Sequence, residues 1–178
     1  MTRVLKDEKS FTRDGGNIMK GVVAYDSVHG NTKQVAEAIA EQIRSEGHEV
    51  QLISIRDAIK EPITGDFLFV GSPTRIGRMT PSAKEFVERL DAEYWRDRPS
   101  VFFDTVGPLP KDEEKRKKWL SRITTSAASK MRDLAKERGL SACPDVLNVP
   151  VTGFLGPLAP GALDLARDFA RKFLASVK

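Results

Sequence analysis

Five short apolar runs, separated for the most part by stretches with helical periodicity, limit the folds open to this chain. The runs lie at about 20–25, Val50–Ile55, Asp66–Gly71, Ser100–Thr105 and about 145–151. Phe67-Leu68-Phe69-Val70 contains no polar residue, as expected of a strand buried on both faces. Between the runs, apolar residues recur at helical spacing over about 32–46, where Val35, Ala36, Ile39, Ala40 and Ile43 share one face and Gly47 ends the pattern. A second helix is expected to open at Pro81 and carry Ala83, Phe86, Val87 and Leu90. A third is expected at about 121–138, ending near Gly139, and a last one at about 160–176. The stretch Arg56 to Gly65 reads as a polar turn, because Pro62 bars a long helix. Strands alternating with helices imply an α/β domain with a parallel sheet and helices on both faces.

At 178 residues the chain has the length of one domain with its own core. Residues 1–18 are polar, contain Asp14-Gly15-Gly16 and show no sustained period. They read as an N-terminal arm ahead of a domain at 19–178, and they lack the apolar core of a secretory signal. No run reaches the ~20 apolar residues of a membrane span. The single cysteine, Cys143, has no internal disulfide partner, which fits a reducing, cytoplasmic setting and a structural thiol. With one Cys and two His, His29 and His48, no zinc-ligand spacing is present, and no metal is expected. The net charge of +4 raises the question of nucleic acid. The cations alternate with acids, however, as in Lys111-Asp112-Glu113-Glu114-Lys115-Arg116-Lys117-Lys118, and no basic run is interleaved with aromatics. A solvated helix face is the expectation there, and nucleic-acid binding is not.

The segment Asp26-Ser27-Val28-His29-Gly30-Asn31-Thr32 joins the first strand to the first helix. A tight polar loop at that junction holds phosphate, because free amides at a helix N-terminus and the helix dipole both favour negative charge. Gly30 lets the backbone approach closely, and the Ser27 and Thr32 hydroxyls can donate to phosphate oxygens. A P-loop requires a lysine that is absent here, and a dinucleotide loop requires three glycines where this one has a single glycine. An ordinary N-cap would need one Asn or Thr, whereas this loop is rich in hydroxyls throughout.

Ser27-Val28-His29-Gly30-Asn31-Thr32 resembles the Thr/Ser-x-Thr-Gly-Asn-Thr phosphate loop of flavodoxins, with His29 where the family usually has a threonine. Ser72-Pro73-Thr74-Arg75-Ile76-Gly77-Arg78-Met79 resembles the Pro-Thr-Arg-Phe-Gly-Asn-Met loop of flavodoxin-like NAD(P)H:quinone reductases. Ser126-Ala127-Ala128-Ser129-Lys130 and Val151–Gly161 look like segments of uncharacterised flavodoxin-domain proteins of bacteria and archaea. The resemblance covers residues 20–175. It implies a doubly wound, five-stranded parallel sheet of order 2-1-3-4-5 and FMN as cofactor. It makes Ser27, Val28, His29, Gly30, Asn31 and Thr32 candidates for the phosphate. Pro73, Thr74, Arg75, Ile76, Gly77 and Met79 become candidates for the ribityl chain and flavin ring, and Asp104, Thr105 and Val106 candidates in the third loop. That third loop, Phe103–Pro110, departs from the family. It has neither a glycine-rich run nor a stacking tyrosine. Ile76, where an aromatic is common, forgoes stacking worth about 0.5–1.5 kcal/mol.

The implied function is an FMN-binding redox protein that carries electrons through a bound flavin, which needs no catalytic side chain of its own. An NAD(P)H-dependent quinone or flavin reductase is the first alternative, and a flavodoxin-fold binding protein that has lost FMN is the second. Arg75 and Arg78 near the flavin would raise its reduction potential, whereas typical flavodoxins are acidic there. The expected partners are a redox protein or a small quinone or nicotinamide.

Overall fold

Phe67–Pro73 (β3) lies at the centre of the sheet because its side chains are apolar on both faces, and all but the last residue are buried. The computed structural model describes residues 15–57, 62–108, 110–123 and 125–177. Around β3 stand Lys20–Tyr25 (β1), Glu49–Ser54 (β2), Ser100–Val106 (β4) and Ala142–Pro150 (β5). The five strands run in the order β2-β1-β3-β4-β5, and every neighbouring pair is parallel. This is the doubly wound sheet that the alternation and the resemblance imply.

Asn31–Ser45 (α1) and Ala162–Ser176 (α5) cover one face, where Ile39, Ala166 and Leu174 pack on Val23, Phe69 and Phe103. Pro81–Arg89 (α2) and Ala127–Glu137 (α4) cover the other, with Phe86, Trp95 and Met131 against Val22, Leu68 and Phe102. Phe67, Phe69 and Phe173 meet edge to face, with Phe173 at centroid separations of 5.3 and 5.0 Å from the other two. The central strands pack this tightly because glycines face phenyl rings across them. Gly21 is registered with Phe67, and Gly71 with Phe103.

Two boundaries differ from the sequence expectation. The helix expected at about 121–138 is two helices, Glu113–Ile123 (α3) and α4. The break falls at Ser126, whose extended backbone and hydroxyl cap the new helix by accepting from the Ser129 amide. The second difference is β5, which begins at Ala142, ahead of Pro144. It is an edge strand, where a missing N–H is tolerated. Residues 1–14 of the expected arm, and the part of the polar turn at 58–61, lie outside the described residues.

The chain winds one way from β1 to β2 and the other way from β3 to β5. The reversal therefore lies between β1 and β3, and ligands of such sheets bind beyond the carboxyl ends there. A side chain at Gly71 would place its Cβ 2.2 Å from the Phe103 ring. Gly71→Ala is expected to lower unfolding free energy by about 1–3 kcal/mol, as overpacking does. Gly107→Ala, which meets nothing within 4 Å, should leave it within about 0.5 kcal/mol. Urea unfolding midpoints check both.

Candidate functional site

Asp26 follows β1 and is fully buried. Its amide donates to the Gly71 carbonyl at 2.9 Å, and its carboxylate accepts from the Arg56 guanidinium and the Thr80 hydroxyl. Thr80 in turn caps α2, accepting from the Ala83 amide at 3.2 Å. The root of the first loop is thereby tied to the start of α2. Beyond it, the Ser27 hydroxyl accepts from the Gly30 amide at 3.1 Å and rounds the turn. Gly30 takes a left-handed conformation, φ 88°, as the N-cap of α1, and no side chain caps that helix. The amides of Asn31, Thr32 and Lys33 have no earlier carbonyl to bond, so they form a seat for an anion. The Thr32 hydroxyl is buried beside it, 2.9 Å from that of Thr105.

The second loop folds into a two-residue hairpin. Arg75 and Arg78 exchange backbone hydrogen bonds of 2.9 and 3.0 Å across Ile76 and Gly77. Both turn residues have positive φ, 49° and 68°, the signature of a type I′ turn. Asparagine is the usual first residue of such a turn. A β-branched isoleucine there is strained, and this one is also 100% exposed.

At the base of the loop, Thr74 donates to the Asp104 carboxylate at 2.9 Å and accepts from the Ala127 amide at 2.9 Å. Asp104 also accepts from the Ala128 amide at 2.9 Å and the Asn148 amide group at 2.8 Å. Burial pushes the Asp104 carboxyl above its usual range; the Ala128 amide and the side chains of Asn148, Ser126 and Thr74 oppose that shift.

These loops and the one after β5 enclose a cleft of about 380 Å³. Ser27, Val28, His29, Asn31 and Thr32 line one part of it. Pro73, Thr74, Arg75 and Ile76 line another, and Thr105 and Val106 a third. Four expected site residues lie off the lining. Gly30 shapes the turn, Gly77 sits against Thr125, and Met79 packs into the α2–α4 core. Asp104 points to α4, because adjacent strand residues face opposite sides and Thr105 takes the cleft side. The cleft also contains Gly107, Pro108, Val151 and Phe154, which the sequence reading did not assign. An apolar pair, Phe154-Leu155, between glycines in a turn-rich stretch was the available signal. The Asn31 side chain donates to the Leu155 carbonyl at 3.0 Å and joins the first loop to the last.

A larger hollow of about 780 Å³ is lined by Ile55–Asp57 and Pro62–Thr64 on one side and by α2 on the other. Among the described residues it has no phosphate loop, and the α2 N-terminus beside it is already capped by Thr80. The smaller cleft is the better site on chemical grounds. Among the described residues no cluster of His, Cys, Asp and Glu is placed to hold a metal ion, and no helix is long and apolar enough to cross a membrane.

A doubly wound sheet with an uncapped helix N-terminus at its switch point defines an α/β protein built to hold a phosphorylated ligand. The family model for the flavodoxin domain matches residues 22–146, and the chain belongs to that family. A flavodoxin of Aquifex aeolicus is 42% identical over 78 residues, 43% of this chain and 42% of that protein. An uncharacterised protein of Methanocaldococcus jannaschii is 28% identical over 133 residues, 70% of this chain and 34% of that protein. The chain thus matches under half the length of either relative. A solved flavodoxin from the domain Archaea superposes with a TM-score of 0.67 at 23% identity, covering 89% of this chain and 99% of that one.

FMN is the cofactor of this family, and the residues present fit it. The open amides and hydroxyls suit a phosphate, and the exposed Ile76 and Phe154 suit an apolar ring. The size lies within the ~300–1,000 Å³ of ligand clefts.

Two outcomes are expected. Ile76→Asn relieves the left-handed strain and should raise unfolding free energy by about 1 kcal/mol while weakening FMN binding, measured by urea unfolding and flavin titration. The second concerns pH. The folded state holds the Asp104 proton more tightly than the unfolded chain does. That contribution is full below about 3.9 and is lost as pH rises through the raised folded value. The stability of wild type minus that of Asp104→Asn should therefore fall as pH rises above about 4 and then level off.

Proposed function

We propose that this protein binds FMN with its phosphate on the α1 N-terminus and carries electrons between soluble redox partners. The observation that supports this reading best is that uncapped N-terminus, opening on a cleft with two wholly exposed apolar side chains, Ile76 and Phe154. Bound flavin supplies one- and two-electron redox chemistry; the chain supplies binding, orientation and electrostatics. The amides of Asn31, Thr32 and Lys33 bind the phosphate. The Thr32 hydroxyl donates to it while accepting from Thr105, and His29 flanks it. Thr74 and Pro73 orient the chain between phosphate and ring.

Arg75 and Arg78 are exposed and form no ion pair with a described carboxylate. They favour added negative charge on the cofactor and attract a partner that presents acidic groups. The same two cations support a second reading, an NAD(P)H-dependent quinone reductase, since they also suit an anionic nicotinamide donor. Rapid NAD(P)H oxidation by the purified protein on adding a quinone would favour the reductase over the carrier.

The purified protein is expected to show the two visible absorption bands of a flavin, and extraction should release FMN rather than FAD. A colourless protein that takes up no FMN would leave a flavodoxin-fold binding protein without cofactor. Thr32→Val should weaken FMN binding by about tenfold or more, because a hydrogen bond to a charged group is worth about 1.5–3 kcal/mol. Titration of apoprotein with FMN measures it.

A further inference from the structure

We propose that Phe154, on the loop after β5, is the aromatic face on which the flavin ring stacks, with Ile76 closing the opposite side. This rests on the FMN reading above and assigns the ring's place within that cleft. Phe154 and Ile76 come from different loops, yet both line the cleft, and both are 100% exposed. The chain buries Phe67, Phe69, Phe102 and Phe103 completely. A phenyl ring left wholly in water beside an open cleft is the complement of a flat apolar ligand. The loop after β4, Gly107-Pro108, brings no ring to the site. Among the described residues Phe154 is the only phenyl, phenol or indole that lines it.

The loop that carries Phe154 is held in shape before any ligand arrives. Val151 pairs with Leu158 as a short antiparallel bridge. The Thr152 amide donates to the Pro157 carbonyl at 2.8 Å, and the Ala159 amide to the Pro150 carbonyl at 2.9 Å. Asn31, beside the phosphate seat, donates to the Leu155 carbonyl at 3.0 Å. Gly156 lies so close that a Cβ would stand 2.5 Å from the Asn31 side chain. The ring platform and the phosphate seat are thus fixed to one another through Asn31. Stacking on a preformed platform orders little that is not already ordered.

The test titrates apoprotein with FMN and, separately, with riboflavin, reading affinity and the quenching of flavin fluorescence. Phe154→Ala should weaken both ligands about tenfold, or about 1.4 kcal/mol, and remove most of the quenching. Phe154→Trp should keep both. Thr32→Val should weaken FMN and leave riboflavin unchanged, which separates ring contacts from phosphate contacts. Gly156→Ala, which pushes the loop off Asn31, should weaken FMN more in the wild-type background than in Phe154→Ala. If Phe154→Ala binds FMN with wild-type affinity and quenching, the ring lies elsewhere and this proposal fails while the FMN reading stands. If wild type takes up no FMN, both fail.

Discussion

The carboxylate of Asp104 is the tie on which the arrangement of the cleft depends. A charge shut away from water is tolerated only when its lone pairs are matched by donors. Here the donors come from three places: Thr74 at the root of the hairpin, Ala128 at the start of α4, and Asn148 on β5. Meeting the needs of one buried group therefore sets the second loop, a helix and the edge strand in one relation. Asp26 does the same across the site, holding the first loop against Arg56 and the cap of α2. Neither carboxylate lines the cleft. The residues that line the cleft are held by residues that do not, and the polar cost of building it is met behind its walls.

The parallel sheet covered on both faces was legible from the alternating pattern and the unbroken apolar run at Phe67–Val70, and the strand order came from the resemblance of the loops. That the first loop would border a cleft was legible because its residues are contiguous, from Ser27 to Thr32. What was hidden depends on contacts distant in sequence. Asp104 read as a cofactor neighbour from its place at a strand end, yet strand alternation turns it to α4 and gives the cleft to Thr105. The break between α3 and α4 went unread because apolar spacing continues across it. Only the cap at Ser126 marks it. Phe154 went unread for a different reason. The third loop was where a stacking ring was sought, and nothing local in Gly153-Phe154-Leu155-Gly156 says that this loop comes back to the first one.

Charge separates this chain from the acidic pattern expected of its relatives. The hairpin presents Arg75 and Arg78 on either side of Ile76, where nothing described neutralises them. A positive edge acts over about a Debye length, ~8–10 Å at ordinary salt, so it reaches a docking partner and a bound ligand alike. Two unneutralised cations are therefore concentrated at one short turn beside the cleft. That turn is also where the backbone is held in an unfavourable conformation.

The bond from Asn31 to the Leu155 carbonyl spans 124 positions of the chain. It joins the loop after β1 to the loop after β5. The α1 helix that carries the anion seat also packs on α5, so both sides of the cleft depend on residues that follow β4. Capture of a ligand with full strength then waits until β5 and the loop beyond it have docked at the sheet edge. Non-local pairing of this kind is the slow part of assembling a parallel sheet. A chain interrupted before residue 150 would lose the loop that bonds Asn31 and, with α5, the helix that packs beside α1 on the same face of the sheet.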